Sequence, residues 1–152
     1  MLYARICRPR TMRMMRTYTE LIAIPDFLDR YRYLKIGGTV GSETFGNERW
    51  LNQRFYNSRE WRNFRRSIII RDFGCDLAHL EHPFESNARI IIHHMNPIVI
   101  EDIRDISPDL MNPEFVIAVS FSTHQAIHYG DESLLGLEEP VIRTAYDTCP
   151  WR

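Results

Sequence analysis

The chain has 152 residues, 44% of them apolar and 26% charged, with 19 Lys and Arg, 20 Asp and Glu and a formal net charge of −1. That balance suits one globular domain able to bury a core without disulfides. It excludes global disorder and low-complexity sequence, and no stretch approaches the roughly 18–20 uncharged apolar residues of a membrane-spanning helix.

The near-neutral sum conceals a split. Residues 1–71 hold 15 Lys and Arg against 6 Asp and Glu, whereas residues 72–152 hold 4 against 14. A basic half fused to an acidic half points to a polyanion partner for the first. All the basic residues except Lys35 are Arg, whose planar fork suits bidentate phosphate contacts. Arg-rich codon usage would explain the choice of Arg over Lys, but not its clustering. Cys7, Cys75 and Cys149 are odd in number, widely spaced and free of any Cys-x-x-Cys pair. That pattern disfavours a disulfide scaffold or a four-Cys zinc knuckle and implies a reducing, intracellular location.

In chain order, residues 1–16 carry Arg5, Arg8, Arg10, Arg13 and Arg16 with no acid and no lasting period. They read as a basic, flexible arm able to touch phosphates, or as a stretch upstream of a working start near Met15. Residues 17–72 form a helical, basic region. Pro25-Asp26 opens a helix to about Lys35, stopped by Gly37-Gly38. A second helical run covers about 46–56. A third begins after Ser58, a good N-cap, with Trp61, Phe64 and Ile68 on one side and Arg59, Arg62, Arg65 and Arg66 on the other. Either a solvated face or a phosphate-binding face fits that amphipathic pattern; only Glu60 opposes the positive charge, which favours phosphate.

Residues 73–130 read as a core. Arg89–His93 is β-branched and predicts a strand; residues 98–106 predict a turn or two of helix; Pro108 and Pro113 bracket a loop. Phe115–Val119 predicts a second strand, and Ser122 or Thr123 caps a helix carrying His124 and His128. From 131 to 152 the chain is acidic, holds Pro140 and Pro150, and reads as an irregular tail. No internal repeat is present.

Four of the six His make a pattern. His93-His94 end the first strand, and His124 and His128, four apart, share a helix face. Strand, loop, strand and helix can gather three imidazoles around one cation, and neutral imidazole is a standard transition-metal ligand. A His-x-x-x-His pair alone is a weak signal; the adjacent His-His at a strand end strengthens it.

These segments resemble the HNH endonucleases, whose fold is the α+β ββα-metal (His-Me finger) core, here preceded by two or three N-terminal helices. The likeness rests on His93-His94-Met95-Asn96-Pro97-Ile98, on Asn112-Pro113-Glu114-Phe115-Val116-Ile117 and on Thr123-His124-Gln125-Ala126-Ile127-His128. The run Phe55–Arg62, with Arg65-Arg66 and Ile68–Arg71, resembles the helix ahead of the motif in small phage HNH proteins, and Asp147–Trp151 resembles the tail of one such group. The resemblance implies that His94 is the general base, that His93, His124 and His128 hold one divalent ion (Mn²⁺, Ni²⁺, Zn²⁺ or Mg²⁺), and that Arg59, Arg62, Arg65 and Arg66 bind DNA. In register with His124, the Asn of the family name falls on Phe115, which has no group to brace the base. Either a neighbour substitutes, or the catalytic loop is looser and slower, or the protein binds DNA without cutting it.

The Cys pairs of a structural zinc ribbon would fall near 75–78 and 118–121, and Cys75 alone is a Cys, so no structural zinc is expected. Cys75, His79 and His82 read as a makeshift metal site or as ordinary loop residues. The expectation is a metal-dependent DNA endonuclease or nickase, phage-encoded, acting in the cytoplasm of a bacterial host. By resemblance alone it is linked to DNA packaging, with the large terminase subunit as a candidate partner. The alternative is a catalytically weak or inactive HNH-fold DNA-binding or packaging accessory. A structural metalloprotein without a nucleic-acid role is a third class, which the basic half argues against.

Overall fold

The computed structural model describes residues 15–36 and 49–137. It is mixed α+β: six α-helices and a two-stranded antiparallel sheet, joined by short 3-10 turns. No helix among the described residues is long and apolar enough to cross a membrane. The expected Gly37-Gly38 stop, most of the 1–16 arm and residues 138–152 lie outside the described residues.

Local signals account for most elements. The helix α1 (Tyr18–Ile22), unexpected from the sequence, is a single turn capped by Thr17, and only Leu21 is buried. The helix α2 (Phe27–Leu34) starts at Asp26, whose side chain accepts from the Asp29 amide. It buries Phe27, Arg30, Tyr31 and Leu34, the i, i+3, i+4, i+7 stripe of an amphipathic helix. The helix α3 (Arg49–Tyr56) fills the second helical run. The helix α4 (Arg59–Arg71) begins where Ser58 Oγ accepts from the Trp61 amide at 3.1 Å. The helix α5 (Ile100–Arg104) occupies part of the 98–106 segment.

Strands β1 (Ile90–His94) and β2 (Val116–Ser120) pair antiparallel from Ile90 opposite Ser120 to His94 opposite Val116. The helix α6 (Phe121–Tyr129) follows β2 directly, with Ser120 as its cap. Gly130 ends α6 at φ +69°; a Cβ there would meet a Lys35 methylene at 3.2 Å and the Ile36 carbonyl at 3.3 Å, so this stop needs Gly.

The sheet has a different layer on each face, because successive side chains of a strand point opposite ways. Ile91, Met95, Ile117 and Val119 pack with Tyr31, Leu34, Ala126 and Ile127 of α2 and α6. Ile90, Ile92, Val116 and Ala118 pack with Trp61 and Ile68 of α4. Two adjacent residues tie α4 to the strands. Asp72 is fully buried, and its Oδ2 accepts from the Ala118 amide at 2.8 Å. Arg71 pairs with Asp72 and donates to the Pro113 and Val116 carbonyls, with its guanidinium 3.6 Å over the Tyr18 ring.

The cap of α6 is Ser120, not Ser122 or Thr123, which lie inside the helix, and two further expectations change. Phe115 is not in the strand: Pro113–Phe115 is a 3-10 turn, because Pro113 pre-sets φ at N1 and Asn112 accepts from the Glu114 amide as its cap. The segment read as an irregular tail folds back at its start. Asp131 caps the 3-10 turn Glu132–Leu135, and Leu135 enters the α2–α6 core. An apolar Leu four residues beyond the cap outweighed the acidic composition around it.

Candidate metal and catalytic site

The odd–even rule of β1 decides the geometry. His93 faces the α6 layer and His94 the α4 layer, although they are neighbours in sequence.

On the α6 side, His124 and His128 sit one turn apart on the face turned to β1, and the strand delivers His93 between them. Ring centroids lie 5.5 Å (His93–His124), 5.2 Å (His93–His128) and 4.4 Å (His124–His128) apart. The Nε2 atoms of His124 and His128 are 3.1 Å apart. His93 is 3% exposed, and its Nε2 is buried without a hydrogen-bond partner. One ligand nitrogen from each of the three lies within 4.8 Å of the others, and this group could hold a metal ion.

The electrostatics agree with that use. Burial, then the neighbouring His124 and His128, push His93 well below the ordinary His range. Burial, then His128 and Arg89, bring His124 down to about 4, and burial lowers His128. All three are therefore neutral near pH 7, with lone pairs available without proton loss. A buried nitrogen without a partner costs about 1–3 kcal/mol, and two imidazole nitrogens each about 2.1 Å from a shared ion lie about 3.0 Å apart at a right angle and about 3.4 Å apart at the tetrahedral angle. The orphaned Nε2 of His93 and the 3.1 Å pair thus fit a bound divalent ion.

On the α4 side, the His94 ring stacks on Trp61 with centroids 5.7 Å apart and 17° between planes. Its Nε2 lies 2.9 Å from the Leu110 carbonyl oxygen. A carbonyl only accepts, so Nε2 carries the proton and Nδ1 keeps the lone pair. Burial lowers the His94 pKa against that carbonyl, so the ring is neutral and can accept a proton. A cavity of about 50 Å³ beside His94, lined by Asn96, Asp102, Asp109, Leu110 and Phe115 among others, has room for a few water molecules.

The loop presenting Leu110 and Phe115 is held without an Asn at position 115. Arg71 grips the carbonyls of Pro113, the first residue of the Pro113–Phe115 turn, and of Val116, the residue after it. Glu114 Oε2 accepts from the amide and hydroxyl of Thr19, and Phe115 contributes main-chain bonds alone: its amide donates to the Asn112 carbonyl at 3.0 Å and its carbonyl accepts from the Met95 amide at 2.9 Å. The sequence reading missed Arg71, Asp72 and Leu110. Asn112-Pro113 was a readable cap-plus-proline signal; a main-chain carbonyl facing His94 leaves no trace in residue identity.

The four Arg of α4 expected to bind DNA divide. Arg59, Arg62 and Arg66 are exposed, and Arg62 reaches no further than the Ser58 carbonyl at 3.4 Å. Arg65 turns inward, donating to the Ile90 carbonyl at 2.9 Å, where it holds the start of β1. Arg16 is also anchored: its amide donates to Asn96 Oδ1 at 2.8 Å, and Asn96 Nδ2 donates back to its carbonyl at 2.9 Å. Cys75, His79 and His82 have separate duties. Cys75 Sγ reaches the Phe73 carbonyl, His79 Nε2 the Pro25 carbonyl, and His82 stacks on Phe27 at 3.9 Å. Among the described residues, His93, His124 and His128 are the one group placed to hold a metal.

Compared with protein-family models, with curated proteins and with solved structures, the chain matches none.

Proposed function

We propose that the protein is a metal-dependent DNA endonuclease or nickase of the HNH type, built on a ββα-metal core formed by β1, β2 and α6. The observation that carries this reading is the division of labour at the end of β1. Three neutral imidazoles converge on one face, and the next residue presents a His whose tautomer leaves Nδ1 as a base.

In this reading His93, His124 and His128 would hold the ion, which would supply Lewis-acid charge to the phosphodiester. His94 takes a proton from water at Nδ1 while the Leu110 carbonyl holds its Nε2–H and the Trp61 ring fixes its plane. Arg71 and Asn112 keep Leu110 in place by pinning the loop. Arg59, Arg62 and Arg66 offer phosphate contacts on α4, the same layer that carries His94. All-His ligation favours Mn²⁺, Ni²⁺ or Zn²⁺ over the oxygen-seeking Mg²⁺. A phage origin, a link to DNA packaging and a terminase partner belong to the same proposal and rest on the sequence resemblance. The accessory reading draws on Phe115; a loop held by Arg71, Thr19 and Asn112 supports the nuclease reading beside it.

The test is a supercoiled plasmid incubated with EDTA-stripped protein and a panel of Mn²⁺, Ni²⁺, Zn²⁺ and Mg²⁺. Open-circular or linear product with at least one metal, and none with EDTA, is expected. Intact plasmid under every condition would leave a binding protein and overturn the nuclease reading.

A further inference from the structure

Arg89 stands immediately before β1, at the end of the sheet where Ile90 pairs with Ser120 and α6 begins. Its guanidinium lies over the ring of Phe121, 4.9 Å from the centroid. Phe121 is the first residue of α6, and His124, three positions on, shares its helix face. The aromatic shelf therefore holds a positive charge about one helical turn from a ligand of the metal site.

That charge is not committed elsewhere. Arg16, Arg30, Arg65 and Arg71 all donate to main-chain carbonyls. Arg89 is exposed and, among the described residues, makes neither an ion pair nor a hydrogen bond. Beside a group that binds a divalent cation, an unpaired Arg is unfavourable by itself, because like charges repel. The arrangement becomes favourable when an anion lies between them. A phosphodiester touching both would turn repulsion into two attractions, and Arg is the side chain suited to grip it.

Building on the metal-dependent nuclease reading, we propose that Arg89, seated on Phe121, forms with the His93, His124 and His128 group a subsite for a nucleic-acid backbone phosphate. Arg89 is then a positioning residue, coupling DNA to metal. Free protein binds metal slightly less well because of it, and DNA-bound protein binds metal better. By linkage, metal tightens DNA by the same factor.

The experiment measures Mn²⁺ affinity with and without a short duplex DNA, and duplex affinity with Mn²⁺ or with EDTA, in a His94→Ala background that prevents turnover. Arg89→Ala should bind Mn²⁺ alone as tightly as its parent or a few-fold tighter. Its metal–DNA coupling should fall on the order of tenfold, the loss expected for a hydrogen bond to a charged group. Phe121→Leu, which removes the shelf but keeps the Arg, should lower the coupling less, and Arg89→Lys should recover part of it. Coupling unchanged in Arg89→Ala, or DNA affinity lowered equally with Mn²⁺ and EDTA, overturns the proposal and leaves the metal site standing. A parent that binds no Mn²⁺, or a His124→Ala variant with undiminished Mn²⁺ affinity, removes the metal reading and this proposal with it.

Discussion

The two faces of β1 carry the same residue type and put it to opposite uses. On the α6 face burial, and then the mutual proximity of three His, keeps the rings uncharged, and the deepest keeps a nitrogen with no partner. On the α4 face a single His is wedged between Trp61 and a carbonyl that fixes which nitrogen is basic. Burial of three neutral rings together suits metal ligation, whereas a single directed hydrogen bond suits a base. The alternation of a strand lets two consecutive residues enter these environments, and the contrast can be broken one face at a time.

The largest effect is expected from the single His. If the protein cleaves DNA, His94→Ala should lower the nicking rate on the order of 10²–10⁴-fold while leaving Mn²⁺ binding intact. Equal nicking by the variant would move the base elsewhere. Next comes the clamp that steadies the His94 face. Arg71→Ala leaves the buried Asp72 carboxylate and the Val116 carbonyl without their partner, and breaking such a buried pair costs about 3–5 kcal/mol. Chemical denaturation should register that loss, with Arg71→Lys intermediate; a stability within 1 kcal/mol of wild type (roughly the effect of an ordinary surface change) would deny the clamp its role.

The exposed Arg of α4 should act more weakly. Changing Arg62 and Arg66 to Ala should lower the salt dependence of DNA binding by roughly 0.9 per lost phosphate contact, with little change in melting temperature. Arg65→Ala should do the reverse, lowering stability more than the salt slope, because its guanidinium holds the Ile90 carbonyl. Identical behaviour of the three would erase the division between them. The smallest effect belongs to Phe115. The loop is already pinned by Arg71, Thr19 and Asn112, so Phe115→Asn should not raise nicking. A several-fold gain in a folded variant would mean that an Asn brace was missing after all.

Much of this was legible beforehand because it is local. Ser58 and Asp26 announce helix starts by their own side chains, β-branched Ile90–Ile92 announce a strand, and His124 and His128 share a face by helical arithmetic alone. The gathering of His93 with that pair followed from the order of strands and helix. What stayed hidden is made of long-range main-chain contacts. The charge asymmetry suggested fifteen cations facing a polyanion, yet Arg16, Arg30, Arg65 and Arg71 serve carbonyls inside the fold. An Arg bound to a carbonyl and an Arg awaiting a phosphate look alike in sequence. The position of Phe115 was misread for a similar reason: Asn112-Pro113 starts a 3-10 turn that delays the strand by one residue.

Calorimetric titration of the EDTA-stripped protein with Mn²⁺ tests the central claim most directly, in wild type, His124→Ala and His94→Ala side by side. The account predicts one site per chain, affinity strongly reduced in His124→Ala and unchanged in His94→Ala, since His124 belongs to the three-His group on the α6 side of the sheet and His94 turns to α4. Binding that survives in His124→Ala, or that is lost equally in both variants, would contradict it.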